Sequence, residues 1–157
     1  MAAHVSPGSV VESSPYTPKW NKYPGINVKD VRMPFVSGRN RMFTEVFSDD
    51  PSILKAVDLI ETDKNVHWYD AASLASRKPD FIVLDELYYD RFVNEPGSRL
   101  YPEIHDYLAQ MLGGRAGYEV VYDNSFHRSP SWLYPSRIGF VDNRIIILKR
   151  TGVRLSS

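Results

Sequence analysis

The run Phe81-Ile82-Val83-Leu84, set off by Pro79-Asp80 before it and Asp85-Glu86 after it, most narrows what this chain can fold into. Four adjacent apolar residues of this kind have the length and branching of a strand buried on both faces. The neighbouring text supplies further elements. Asp49-Asp50-Pro51-Ser52 has a helix-start signature, with an acidic cap and a proline at the first helical position. Ile53, Val57 and Ile60, with Leu54 beside them, recur at helical spacing, which predicts a helix from Pro51 to about Glu61. Asn65 to Tyr69 reads as a short strand, and Glu86 to Phe92 as a short helix or loop.

Further along, Pro102 is placed to open a helix whose Ile104, Leu108, Met111 and Leu112 share a face, with Glu103, Asp106 and Gln110 turned to water. Gly113-Gly114 ends it. Tyr118 to Tyr122 predicts a strand, Asn124 to Arg137 a long loop, and Arg144 to Arg150 the last strand. Such alternation predicts an α/β fold: a small open sandwich of two or three layers on a mostly parallel sheet, with the last strand free to run antiparallel. Residues 1–25 hold Pro7, Pro15, Pro18 and Pro24 among Ser and Gly, and read as a disordered or loosely docked arm. The single α/β domain is then expected over 26–152, with a tail at 153–157.

Composition removes several classes of function. Nineteen basic residues balance nineteen acidic ones, so no net field draws in nucleic acid, and none is expected as a partner. Without cysteine the chain has no disulfide, no thiolate nucleophile and no Cys-held zinc or iron–sulfur centre. The four histidines, at 4, 67, 105 and 127, lack metal-ligand spacing, and neither a metal nor another cofactor is expected. No run approaches the roughly 18 apolar residues of a membrane-spanning helix. The first residues lack the basic leader and apolar core of a secretory signal.

Candidate chemistry gathers just beyond the buried strand, where open α/β sheets tend to bind ligands. Asp85 and Glu86 could hold Mg²⁺ or divide acid and base roles. The structural alternative makes Asp85 the cap of the next turn and leaves Glu86 solvated. Tyr88, Tyr89, Asp90 and Arg91 could form a sugar or phosphate platform, with rings to stack on and a guanidinium for oxyanions. Against that stands packing of one tyrosine with Phe92 under the sheet, and an Asp90–Arg91 surface pair. His127-Arg128, in the long loop, would suit a phosphate or a general acid, though Trp132, Leu133 and Tyr134 explain that loop by packing alone. GxGxxG, GxxxxGK[ST] and GxSxG are all missing, and Gly113-Gly114-Arg115 trails a helix rather than leading into one.

The succession PDFIVLDELYYDRF, YPEIHDYLAQML, GYEVVYDNSF, PSW and RIIILKR resembles the soluble extracytoplasmic C-terminal region of polyprenyl-phosphate-sugar-dependent membrane glycosyltransferases, the relatives of dolichyl-phosphate-mannose protein mannosyltransferases. There a strand ending in a YVVxSSxxYxRF pattern precedes a YP helix, a YELVxxF strand and a last strand of the ITVYR kind. Phe81 to Leu84, Tyr89, Arg91, Phe92, Tyr101, Pro102 and Tyr118 to Val121 occupy the matching places, over about residues 51–150. Asp85 and Glu86 depart from the small hydroxyl residues of that pattern, and the family's catalytic acids, which lie in a loop near its first membrane helix, map to no position here.

The resemblance implies a noncatalytic accessory domain or fragment that assists acceptor binding or enzyme architecture. It also implies a membrane glycosyltransferase as partner, a sugar or polyprenyl phosphate as ligand, and an extracytoplasmic location. A free-standing chain without a signal would instead be cytoplasmic. The alternative is a small phosphate- or sugar-handling enzyme using Asp85 and Glu86 with Arg91 or His127.

Overall fold

The computed structural model describes residues 5–17, 25, 27–36, 66–95, 97–127 and 144–152. Within them five strands, β1 (Val10–Ser13), β2 (Lys29–Arg32), β3 (Phe81–Asp85), β4 (Tyr118–Asp123) and β5 (Ile145–Arg150), make one open sheet of order β2-β1-β3-β5-β4. The helices are α1 (Ala71–Arg77), α2 (Glu86–Val93), α3 (Gly97–Leu100) and α4 (Pro102–Leu112), with three-ten turns at Val66–Tyr69 and Asn124–His127. The fold is α/β, as the alternation of elements predicts.

The sheet is mixed rather than mostly parallel. β1 pairs in parallel with β2 and β3, whereas β5 enters between β3 and β4 and runs antiparallel to both. Side chains join the end of β4 to the start of β5. Asp123 at the end of β4 takes Arg144 Nη2 at 2.5 Å, and the Asn124 side-chain carbonyl accepts from the Ile145 amide at 2.6 Å. These bonds place the start of β5 beside the end of β4, which suits an antiparallel ladder and not a crossover.

β3 is the buried strand that its sequence predicts, and every residue from Phe81 to Asp85 is buried. Its alternating side chains serve two clusters. Ile82 and Leu84, with Ile146 and Leu148 of β5, face the helices and pack with Leu74, Tyr88, Phe92, Ile104, Leu108 and Met111. Phe81 and Val83 point the other way and join Val11 and Ile147. Residues 10–13, assigned by sequence to a loose arm, are therefore the strand next to β3. Val66–Tyr69 is a three-ten turn rather than a strand, because Asp70 directly after it accepts from Ser73 N and starts α1. The helix expected at 51–61 lies outside the described residues.

α4 begins at Pro102 and stops at Gly113, and its buried stripe is Ile104, Tyr107, Leu108 and Met111, with Leu112 partly buried beside it. The proline suits a first turn that has no amide partners to lose. Gly114, at φ +68°, supplies the left-handed residue that turns the chain away.

A polar knot ties β1 to this helical layer. Glu12, 1% exposed, is paired with Ile82 across the β1–β3 ladder. Its carboxylate accepts from Arg77 Nε at 2.8 Å, Arg77 Nη2 at 3.1 Å, Trp68 Nε1 at 3.1 Å and the Tyr107 hydroxyl at 3.4 Å. The Arg77 guanidinium lies 3.9 Å from the centroid of the Trp68 ring, so the cation is held from two sides.

Two stability outcomes are expected. Arg77→Leu strands the Glu12 carboxylate and should cost about 3–5 kcal/mol in urea melts, while Glu12→Leu/Arg77→Leu should recover most of that loss. A Cβ built on Gly97 would stand 1.6 Å from the Arg91 carbonyl oxygen. Gly97→Ala must therefore move backbone, at about 2 kcal/mol or more. A thermal melt unchanged by Gly97→Ala would contradict the close approach of α3 to α2.

Candidate functional site

The chain passes from β1 outward to β2 and then back to β3 on the other side, so strand order reverses between β1 and β3. In open α/β sheets the crevice beyond the carboxyl ends at such a reversal is the natural ligand position. Three segments converge there. The turn after β1 is closed by Thr17 N and Thr17 Oγ1 donating to the Ser14 carbonyl. Arg32, at the end of β2, holds that turn through the Thr17 carbonyl at 2.7 Å and Thr17 Oγ1 at 2.8 Å. The Asp85 amide at the end of β3 donates to Ser14 Oγ at 2.9 Å.

These bonds present Tyr16 and, after β2, Phe35. Both are large apolar residues left open to water, 37% and 47% exposed. Their rings meet edge to face with centroids 6.1 Å apart, and both lie 6.4 Å from the ring of Tyr88. Tyr88 is fully buried and forms the floor. Its hydroxyl meets that of Tyr69, and both hydroxyls lie on the Pro34 carbonyl, one residue before Phe35. Burial raises the Tyr69 phenol, so it stays protonated and able to donate.

Arg91 of α2 covers this cluster. Its guanidinium carbon sits 5.0 Å from the Tyr16 centroid and 5.7 Å from the Phe35 centroid, and the residue is exposed. No hydrogen bond or ion pair occupies this guanidinium among the described residues. The expected Asp90–Arg91 pair does not form, since Asp90 accepts instead from Asn94 Nδ2 at 2.6 Å. The result is a cation with open donors, held against two accessible rings.

The other sequence-named residues go elsewhere. Asp85 is 2% exposed and caps α2, accepting from the Leu87 amide at 2.9 Å. Glu86 is half-buried rather than solvated, and its Oε2 accepts from the Arg144 amide at 3.3 Å. Tyr89 is buried on the other flank of α2, toward Arg144, because successive helical residues diverge by about 100°. Burial raises its phenol against the opposing pull of Arg144. The Arg144 guanidinium holds Asp123 well below the usual carboxylate range. Thus Tyr88 and Arg91 share a site, while Asp85, Glu86 and Tyr89 belong to the α2 start and the β4–β5 corner. The backbone of His127 closes the second three-ten turn. Its side chain and Arg128 lie outside the described residues.

A separate groove of about 480 Å³ opens at the opposite end of the sheet, between α1 and α4. Leu74, Met111 and Tyr118 line it together with Lys78, Asp106 and Arg150. None of the site candidates read from the sequence lines it. Among the described residues, no group of three or more His, Asp and Glu could hold a metal ion. No helix there is long and apolar enough to cross a membrane. No family model, curated protein or solved structure matches this chain.

The buried phenols set an alkaline limit. Burial pushes Tyr118 up to about 12 and raises Tyr107 and Tyr69 further. The folded state therefore keeps protons that the unfolded chain releases near pH 10. Their stabilising contribution is complete below that pH and is lost as pH rises from about 10 toward 12 and beyond. Melting temperature should accordingly fall across this window, and phenolate absorbance should rise together with unfolding. Phenols that all titrate near pH 10 in the folded protein would contradict this arrangement.

Proposed function

We propose that the chain is a noncatalytic accessory domain that holds a saccharide-type ligand or acceptor for a membrane glycosyltransferase, in the manner its sequence resemblance implies. One observation carries this reading: among the described residues at the carboxyl ends of β1 to β3, the accessible groups are a stacking surface and a guanidinium, and Asp85 and Glu86 are engaged elsewhere. Rings that present a flat apolar face, with a charged donor at the edge, suit retention and orientation of a polar ring. General acid–base work by Asp85 and Glu86 would need their carboxyl groups within reach of a substrate proton. Asp85 has its Oδ1 on the α2 amide and is almost without exposure, and Glu86 is turned to Arg144.

The enzyme alternative uses those same two carboxylates, so isosteric neutral variants separate the readings. Asn caps a helix about as well as Asp, and Asp85→Asn/Glu86→Gln should therefore fold with little loss of stability. Sugars, sugar phosphates, a short polyprenyl phosphate and Mg²⁺ would be titrated into labelled protein and followed by protein NMR. Shifts are expected at Tyr16, Phe35 and Arg91, equal in the wild type and the double variant, with every ligand recovered unchanged. Conversion of a ligand by the wild type that the double variant fails to perform would establish the enzyme instead.

A further inference from the structure

We infer that the Tyr16–Phe35–Arg91 platform selects an acidic saccharide, a pyranose bearing a carboxylate, over neutral sugars and over phosphates. The inference rests on the ligand-holding reading above and adds the chemistry of the ligand. The two rings are near perpendicular, at 84°, and both residues are more than a third exposed. One ring can lie under the C–H face of a pyranose while the other bounds its edge. The floor is set, because Tyr88 beneath them is buried and bonded at its hydroxyl. Little ordering entropy remains to be lost on binding at such a preformed surface.

Charge decides what the ligand carries. Arg91 brings one planar fork of donors, the geometry that matches a carboxylate with two parallel bonds. A phosphate dianion usually gathers more positive donors than one fork, and the first turn of α2 is already capped by the Asp85 carboxylate. The guanidinium lies over the rings, 5.0 Å from the Tyr16 centroid and 5.7 Å from that of Phe35, and no carboxylate among the described residues pairs with it.

The test compares methyl glucuronide, methyl glucoside and a glucose phosphate by protein NMR titration of the whole chain, with Arg91→Gln and Tyr16→Ala beside the wild type. Methyl glucuronide should shift Tyr16, Phe35 and Arg91 and bind about tenfold tighter than methyl glucoside, a difference expected for one charge-assisted pair at an exposed site. Arg91→Gln should erase that preference, and Tyr16→Ala should weaken both sugars. Equal binding of glucuronide and glucoside would overturn the inference while leaving the ligand-holding reading intact. Tighter binding of the glucose phosphate would overturn the carboxylate selection in the same way. Shifts confined to the α1–α4 groove, or no shift with any sugar on a folded spectrum, would overturn the platform itself.

Discussion

The buried pair of Glu12 and Arg77 organises the molecule. A carboxylate on β1, at the helix-facing side of a sheet otherwise lined with Ile and Leu, is costly unless every oxygen is served. Arg77, Trp68 and Tyr107 serve it, and they come from α1, the three-ten turn before α1, and α4. One side chain therefore fixes where three elements cross the sheet. The penalty for any other arrangement is the penalty of an unpaired buried charge, which makes the pair a device for selecting one packing rather than a large net source of stability.

That knot also explains what the sequence could and could not reveal. Phe81 to Leu84, the Pro102 start of α4, its Ile104–Leu108–Met111 stripe and the strands at 118–123 and 145–150 are legible because local pattern and tertiary role agree. β1 and β2 are not. Val10-Val11-Glu12-Ser13 places a buried acid in the middle of a four-residue strand, and prolines at 7 and 15 bracket it. Nothing short of knowing Arg77's position makes Glu12 an interior residue. α1 was hidden for a related reason, being seven residues long with a single buried apolar side chain, Leu74.

The site followed the same division. Tyr88 and Arg91 were readable as platform material, since the motif lies at the carboxyl side of a confident strand. Tyr16 and Phe35, the exposed rings, were not, because each follows a proline in text without period, and only the strands preceding them put both at the sheet's carboxyl edge. Asp85 admits a catalytic reading by position and a capping one by its place before a helix, and the geometry makes it the cap. The pull of a helix start on a nearby carboxylate accounts for the difference, since free first-turn amides are among the strongest local acceptor-seeking groups in a chain. Placement of α2 directly after β3 uses up the acid that the motif advertises.

Asp80 has a consequence for how the chain reaches this state. One carboxylate oxygen accepts from the Val10 amide at 2.9 Å and the other from Arg150 Nη2 at 2.8 Å, joining residues seventy positions away in each direction. During vectorial synthesis β1 leaves the ribosome long before β3, and β3 long before β5. The central strand thus spends much of translation with one neighbour missing, its antiparallel edge open and half of its clasp unmade. Sheets closed by such distant contacts assemble late and slowly. Until Arg150 is available, the edge of β3 that β5 covers stays open and the clasp at Asp80 is half made.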